Sequence, residues 1–303
     1  MKKLFSIVLV VAVALVSVGC KSEKAQSQDL SFAQLMEQSS PEQIQAWYNG
    51  ASRLDAEYTK ANAEALRAQK KLLVFDLDGT LSNHKCPMPE ANRALLDALG
   101  KRYHIVMCGA GNAPRIFKQM ENYPIDIVGN YGMQHSKVVD GELVITKQIV
   151  CDIDKKFFAT ETNKLREKYG YTEFDGESLE FHHSGMVTFA LLGTKAAKEK
   201  KLVFDPDRAK RRVMYPEVVE IFKDYTVYIG GSSSFDIVEK QYNKYDATME
   251  YAKMHGYTKE QVLFLGDDMG DGGGDSHIRL GGMDYLHILD YTKIPEMMAF
   301  LLE

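Results

Sequence analysis

The sequence predicts an α/β fold built around a parallel sheet, and three observations carry that expectation. Leu72-Leu73-Val74-Phe75 and Leu263-Phe264-Leu265 are short, continuously apolar runs, and each leads directly into a loop of aspartates and glycines. Unbroken apolar runs of this length are the pattern of strands buried on both faces. Ile105-Val106-Met107 is a third such run, followed by Cys108-Gly109-Ala110-Gly111-Asn112. Open α/β sheets carry their active sites at the carboxyl ends of the strands, so the acids after the first two runs mark the place to look.

The composition permits such a fold. At 303 residues and 45% hydrophobic, the chain is long and apolar enough to bury a full core. A net charge of −5 supplies no overall positive field, so no nucleic-acid partner is expected and an anionic substrate must be met by a local group of cations. Cys20, Cys86, Cys108 and Cys151 have neither the density of a disulfide scaffold nor a CxxC spacing, which argues against a cysteine-held zinc.

The amino end reads as an address. Lys2 and Lys3 precede an uncharged apolar run from Leu4 to Val18, the layout of a secretory signal. The run is shorter than the roughly 20 residues a membrane-spanning helix needs. Ser17-Val18-Gly19-Cys20 resembles the bacterial lipoprotein box, which implies residues 1–20 as a lipoprotein signal peptide, cleavage before Cys20, and a lipid on its thiol. The expected location is therefore outside the cytoplasm, as a membrane-anchored lipoprotein of a bacterial cell envelope. Residues 21–70 read as a polar tether to about Gln28 and then a helical segment to about Ala68, forming a stalk or lid edge. Ser40-Pro41-Glu42 has the form of a helix start.

The first apolar run ends in Asp76-Leu77-Asp78-Gly79-Thr80. Period-two spacing would aim both carboxylates one way if the strand continued, and such a pair needs a cation to relieve its repulsion. Gly79 permits a tight turn, and Thr80 offers a hydroxyl to a phosphate or to the loop. Phe75 to Thr80 resembles the first motif of the haloacid dehalogenase superfamily. That resemblance implies Asp76 as a nucleophile toward phosphorus and Asp78 as general acid and base. It also implies Mg²⁺ as cofactor, held by the Asp76 carboxylate and the Asp78 backbone carbonyl. The implied architecture is a Rossmann-like parallel-sheet core with a smaller inserted α/β cap domain: residues 71–150 and 232–303 as core, 151–231 as cap.

The remaining motifs follow in order. Gly266-Asp267-Asp268-Met269-Gly270-Asp271-Gly272-Gly273-Gly274-Asp275 is similar to the fourth superfamily motif, in the form found in eukaryotic-type phosphomannomutases. A calcium loop is excluded, because Met269 and Ile278 stand where an EF-hand needs ligands. The resemblance makes Asp267 a metal ligand. Gly274 replaces the family's asparagine, so Asp271 or Asp275 is left to support the metal from behind. Gly230 to Asp236 resembles the sugar-contacting segment of those enzymes, with Ser234 and Asp236 at the contact positions, and the register sets Lys244 on the third-motif lysine. Gly111 and Asn112 fall on the second, phosphate-binding motif, where the family has serine or threonine in place of Gly111. A dinucleotide site is excluded because Pro114 occupies the third glycine position and the first strand ends in acids.

In phosphomannomutases, cap arginines grip the distal phosphate of a bisphosphorylated sugar. A gap-free register places those positions on His183, Thr194 and Lys201, and a further one on Lys85. None is arginine, so charge survives at Lys85 and Lys201 without the guanidinium fork. His183 is a candidate substrate contact. Its neighbour His182 would point to the opposite face of a strand, so the two cannot readily chelate together. The runs Lys195 to Lys201 and Arg208 to Arg212 read as solvated helix faces. The expected activity is hydrolysis of a small phosphorylated substrate, in particular a sugar phosphate. A phosphomannomutase-like mutase is the alternative, and a lipid-anchored protein that binds a phosphorylated ligand without turnover is a further one.

Mass spectrometry of the native amino terminus tests the lipid anchor. The mature chain is expected to begin at a lipid-bearing Cys20, and Cys20→Ser is expected to release the protein from membranes. An equally membrane-bound variant would remove the anchor.

Overall fold

The computed structural model describes residues 54–303, together with residues 34, 37, 38 and 40. The expected signal segment, Cys20, the tether and nearly all of the Ser40-Pro41-Glu42 helix start lie outside the described residues. None of the described helices is long and apolar enough to cross a membrane.

The core is a seven-stranded sheet ordered β11-β10-β1-β2-β3-β4-β5. Its centre is β1 (Leu72–Phe75), every residue of which is buried, between β10 (Val262–Gly266) and β2 (His104–Cys108). The three apolar runs are thus parallel neighbours. β3 (Asp126–Gly129) and β11 (Tyr285–His287) extend the parallel set on either side. Beyond β3 the hairpin of β4 (Gln134–Val139) and β5 (Glu142–Gln148) adds two antiparallel strands, which makes the sheet mixed.

Helices cover both faces. Leu95, Leu96 and Leu99 of α3 (Glu90–Leu99) and Ile116 of α4 (Ala113–Gln119) pack with Leu73, Phe75 and Leu265 on one side. Tyr245, Tyr251 and Ala252 of α8 (Lys244–Met254) pack with Leu72, Val74 and Phe264 on the other. Alternate residues of β1 feed the two layers, as strand periodicity requires. The described part of the segment expected as a stalk, residues 54–69, instead packs on this core. α1 (Ala56–Ala61) and α2 (Ala63–Gln69) lie on it through Leu54 and Leu66, and Arg67 donates to the Phe300 carbonyl at 2.7 Å.

The cap is an antiparallel sheet ordered β6-β7-β9-β8, formed by β6 (Leu179–Phe181), β7 (Val187–Ala190), β8 (Tyr225–Tyr228) and β9 (Ser234–Glu239). Its helices are α5 (Lys155–Tyr169), α6 (Lys198–Phe204) and α7 (Ala209–Ile221). The cap sheet therefore runs to Glu239, past the boundary expected at residue 231, because β9 pairs with β7 and β8 rather than with the core. In the charged run at the start of α7, Lys210 and Arg212 are exposed as expected, but Arg211 is not. Arg211 is buried, bonded to Asp205 at 2.8 Å and to the carbonyls of Gly230, Gly231 and Ser234. It pins the turn before β9 to α7.

Removing one partner of a buried ion pair leaves the other charge without compensation and costs about 3–5 kcal/mol. Arg211→Ala is therefore expected to destabilise the protein by that order in denaturant unfolding. A loss under about 1 kcal/mol would mean that water reaches Asp205, as at exposed pairs.

Candidate active site

A cavity of about 270 Å³ opens between the carboxyl ends of the core strands and the cap. β1 ends at Phe75, so Asp76 and Asp78 sit in the following turn and period-two spacing does not govern them. Both line the cavity, held by different partners. Asp76 is anchored by its backbone amide to the Leu265 carbonyl at 2.9 Å. Its Oδ1 accepts from Lys244 Nζ at 2.7 Å, and the same ammonium donates to Asp275 Oδ1 at 2.7 Å.

Lys244 opens α8, whose start is fixed by the Asn243 side chain accepting from the Asp246 amide. Asp275 spends its second oxygen on the Asp268 amide at 3.0 Å. It therefore orients Lys244 and the loop after β10. Asp271 is exposed and paired with Arg279 at 2.8 Å, away from the cavity.

Asp76, Asp267 and Asp275 each offer an oxygen within 4.8 Å of the others. Gly79, at φ +95°, lets this approach happen, since a Cβ there would lie 2.3 Å from Asp267 Oδ2. Burial pushes the Asp76 carboxyl up to about 7 against the pull of Lys244, and Asp275 and Asp267 add to the rise. Burial and Asp275 push Asp267 up to about 7 as well. Burial disfavours the Lys244 charge, yet Asp275 and Asp76 hold it protonated above the usual ammonium range. Two buried carboxylates and a half-buried one beside one ammonium are short of positive charge. With all-oxygen donors, the group fits a hard divalent cation such as Mg²⁺.

Asp78 has its own cradle. Its carboxylate accepts from Arg115 Nη2 at 2.6 Å, from Gln119 Nε2 at 2.7 Å and from the Lys85 amide at 2.7 Å. Burial raises this carboxyl, but the Arg115 guanidinium and the two other donors outweigh burial and keep it below the usual range. Arg115 and Gln119 were not foreseen from the sequence. Gly111 explains the space for Arg115, because a Cβ on Gly111 would lie 2.4 Å from Arg115 Nη1. The residue that looked like a lost hydroxyl admits a guanidinium instead. Asn112 caps α4, its Oδ1 accepting from the Arg115 amide at 2.9 Å, and so sets the helix that presents Arg115.

The cap closes the other wall. Asp236 accepts from Thr188 Oγ1 at 2.9 Å and from the Tyr131 hydroxyl at 3.5 Å, and burial pushes its carboxyl upward. Ser234 lines the cavity and donates to the Gly230 carbonyl at 3.0 Å. His182, not His183, faces the cavity, with Nε2 3.0 Å from Thr188 Oγ1; His183 is exposed on the turn after β6. Arg208, in the run expected to be solvated, enters the cavity and pairs with Asp268. Lys201 does not line the main cavity. It bonds to the Thr194 carbonyl at 2.9 Å and shares a small side cavity with Lys85 and Lys198. Thr80 is buried and makes no cavity wall, so it offers no hydroxyl to a substrate.

The sequence profile of haloacid dehalogenase-like hydrolases matches residues 73–272. The chain belongs to this family and is an enzyme of the haloacid dehalogenase type. Among curated relatives, it is 26% identical to a phosphomannomutase of Encephalitozoon cuniculi over 223 residues, 70% of this chain and 85% of that protein. A phosphomannomutase of Drosophila melanogaster is 24% identical over 226 residues, 71% of this chain and 88% of that protein. Among solved structures, IMP-bound IMP-nucleotidase of Plasmodium falciparum superposes with a TM-score of 0.57 at 14% identity, covering 91% of this chain and 80% of that one. A haloacid dehalogenase-like hydrolase from B. subtilis gives 0.51 at 15% identity, covering 77% and 100%. These two likenesses establish the fold.

Arg115→Ala is expected to lower kcat/KM toward an aryl phosphate by about 100-fold, because it removes the cation that holds Asp78 at the cavity. The melting temperature should barely move, since Arg115 is partly exposed. A change of only a few fold would remove Arg115 from the site.

Proposed function

We propose that this protein is a Mg²⁺-dependent phosphatase that hydrolyses a sugar monophosphate or similar small phosphate ester through a phospho-aspartate on Asp76. The observation that carries this reading is the character of the cap wall. Glu180, His182, Thr188, Ser234 and Asp236 line it, and hydroxyls, an imidazole and carboxylates suit the hydroxyls of a sugar. The two carboxylates would repel a second phosphate, which a mutase has to hold. Arg208 reaches past this wall to Asp268, at the end where the reacting phosphate would lie.

In the first step Asp76 Oδ attacks phosphorus, the ester P–O bond breaks, and the departing alkoxide takes a proton from Asp78. In the second, Asp78 removes a proton from water, the water oxygen attacks the phospho-aspartate, and free phosphate leaves Asp76 regenerated. Bound Mg²⁺, held by Asp76, Asp267 and the Asp78 carbonyl, would mask negative charge so that an anion can approach an anion. Lys244 holds Asp76 in place and stays charged throughout. Arg115 keeps Asp78 ionised in the free enzyme. Once it turns to the substrate phosphate, Asp78 loses that cation and can carry the proton it donates.

A sugar phosphomutase is the second reading, favoured by Lys85, Lys198 and Lys201 around the side cavity. Burial and the charge of Lys85 both lower the Lys201 ammonium, the condition of a site that would gain from an anion. Arg115 occupies the space beside Gly111 and reaches Asp78, which favours turnover over binding without turnover.

Asp76→Asn is expected to abolish phosphate release from an aryl phosphate with the fold intact, and a chelator should stop the wild-type enzyme until Mg²⁺ is restored. Turnover that survives either treatment would overturn the nucleophile or the cation. Mannose 1-phosphate, supplied with and without hexose 1,6-bisphosphate, separates the two activities. Free phosphate is expected as the main product in both cases; faster accumulation of mannose 6-phosphate would establish the mutase.

A further inference from the structure

A second group of ligating side chains lies at the end of the core sheet opposite the cavity. His104 begins β2 and Asp126 begins β3, at the amino ends of adjacent parallel strands, and His255 caps the carboxyl end of α8. One ligand atom from each of the three lies within 4.8 Å of the others.

Tyr251 sets their protonation. Its hydroxyl donates to Asp126 Oδ2 at 2.8 Å and lies 2.9 Å from His104 Nε2. With the phenolic proton committed to Asp126, His104 must donate through Nε2–H, which leaves its Nδ1 with a lone pair. His255 Nδ1 lies 2.9 Å from the Tyr251 carbonyl. A carbonyl only accepts, so this ring keeps its proton on Nδ1 and its lone pair on Nε2. Hydrogen bonds that fix the tautomer in this way are what stands behind imidazoles that bind metals. Burial, with the neighbouring His255, also holds His104 below the usual imidazole range, so it is neutral as a ligand must be.

We propose that His104, Asp126 and His255 form a binding site for a divalent transition-metal ion of the zinc class, separate from the catalytic centre. Two imidazoles and one carboxylate match the preference of Zn²⁺ and Co²⁺ for mixed nitrogen and oxygen donors, and disfavour Mg²⁺, which takes oxygen. His255 is exposed, so the ion enters from solvent and water completes its coordination. Bound there, the ion clips the end of α8 to the starts of β2 and β3. The other end of this 11-residue helix, about 16 Å away, begins with Lys244.

The test uses the full chain in excess Mg²⁺, so that the catalytic acids are occupied, with Co²⁺ as the spectroscopic probe. One Co²⁺ per chain is expected, with visible ligand-field bands that Mg²⁺ does not displace and that survive Asp267→Asn. His255→Ala, at an exposed position, is expected to lose the bands while its circular dichroism matches wild type. Tyr251→Phe keeps the ring but removes the group that orients His104 and Asp126, and should weaken binding roughly 10-fold. Absence of bands in the wild type, bands unchanged in His255→Ala, or bands lost in Asp267→Asn would each overturn the site.

Discussion

The ammonium of Lys244 between Asp76 and Asp275 is the interaction on which the rest of the site depends. Carboxylates are crowded under the cap at Asp76, Asp267 and Asp275, where burial alone penalises each charge. One fixed cation relieves part of that penalty and leaves the remainder as an attraction for another. The same contact joins three separate stretches of chain: the turn after β1, the start of α8 and the loop after β10. Folding these elements together and assembling the site are one event, since none of the three charges has a low-energy place in the interior without the others.

A second constraint works through absent side chains. Gly79 and Gly111 stand where a single added carbon would collide with Asp267 and Arg115 respectively. At Gly79 the backbone turns so that the Asp267 carboxylate can close in. At Gly111 the space is used by a guanidinium that reaches Asp78. The departure from the family pattern in the second motif thus makes room for a guanidinium from the following helix.

What could be read from the sequence follows the range of the interactions. The strands β1, β2 and β10 and their acidic loops are local patterns, and Asp76, Asp78, Lys244 and Asp267 stand in short motifs whose order along the chain is informative. Arg115 and Arg208 are not legible in this way. Arg115 is one cation on an amphipathic helix, and only the proximity of Asp78, 37 residues earlier, gives it a role. Arg208 belongs to a run of basic residues that looks solvated until the cap folds over Asp268. His182 and His183 are adjacent, and which of them faces inward is decided by the pairing of β6 with β7, which places Phe181 opposite Val187. The cap boundary was misplaced for a similar reason. Ser234 to Glu239 has strand character that either sheet could use, and the choice is made by register against Val187–Ala190 and Tyr225–Tyr228.

The pairing of Arg208 with Asp268 has a kinetic consequence. It is a fastener between the cap and the loop that carries Asp267, and its guanidinium lines the same cavity as Asp76. Under the proposed hydrolysis, the phosphate formed in this cavity would compete with Asp268 for that guanidinium. Departure of the anion and re-fastening of the two halves would then be one coupled motion, which makes egress a step at which the cycle could be slowed.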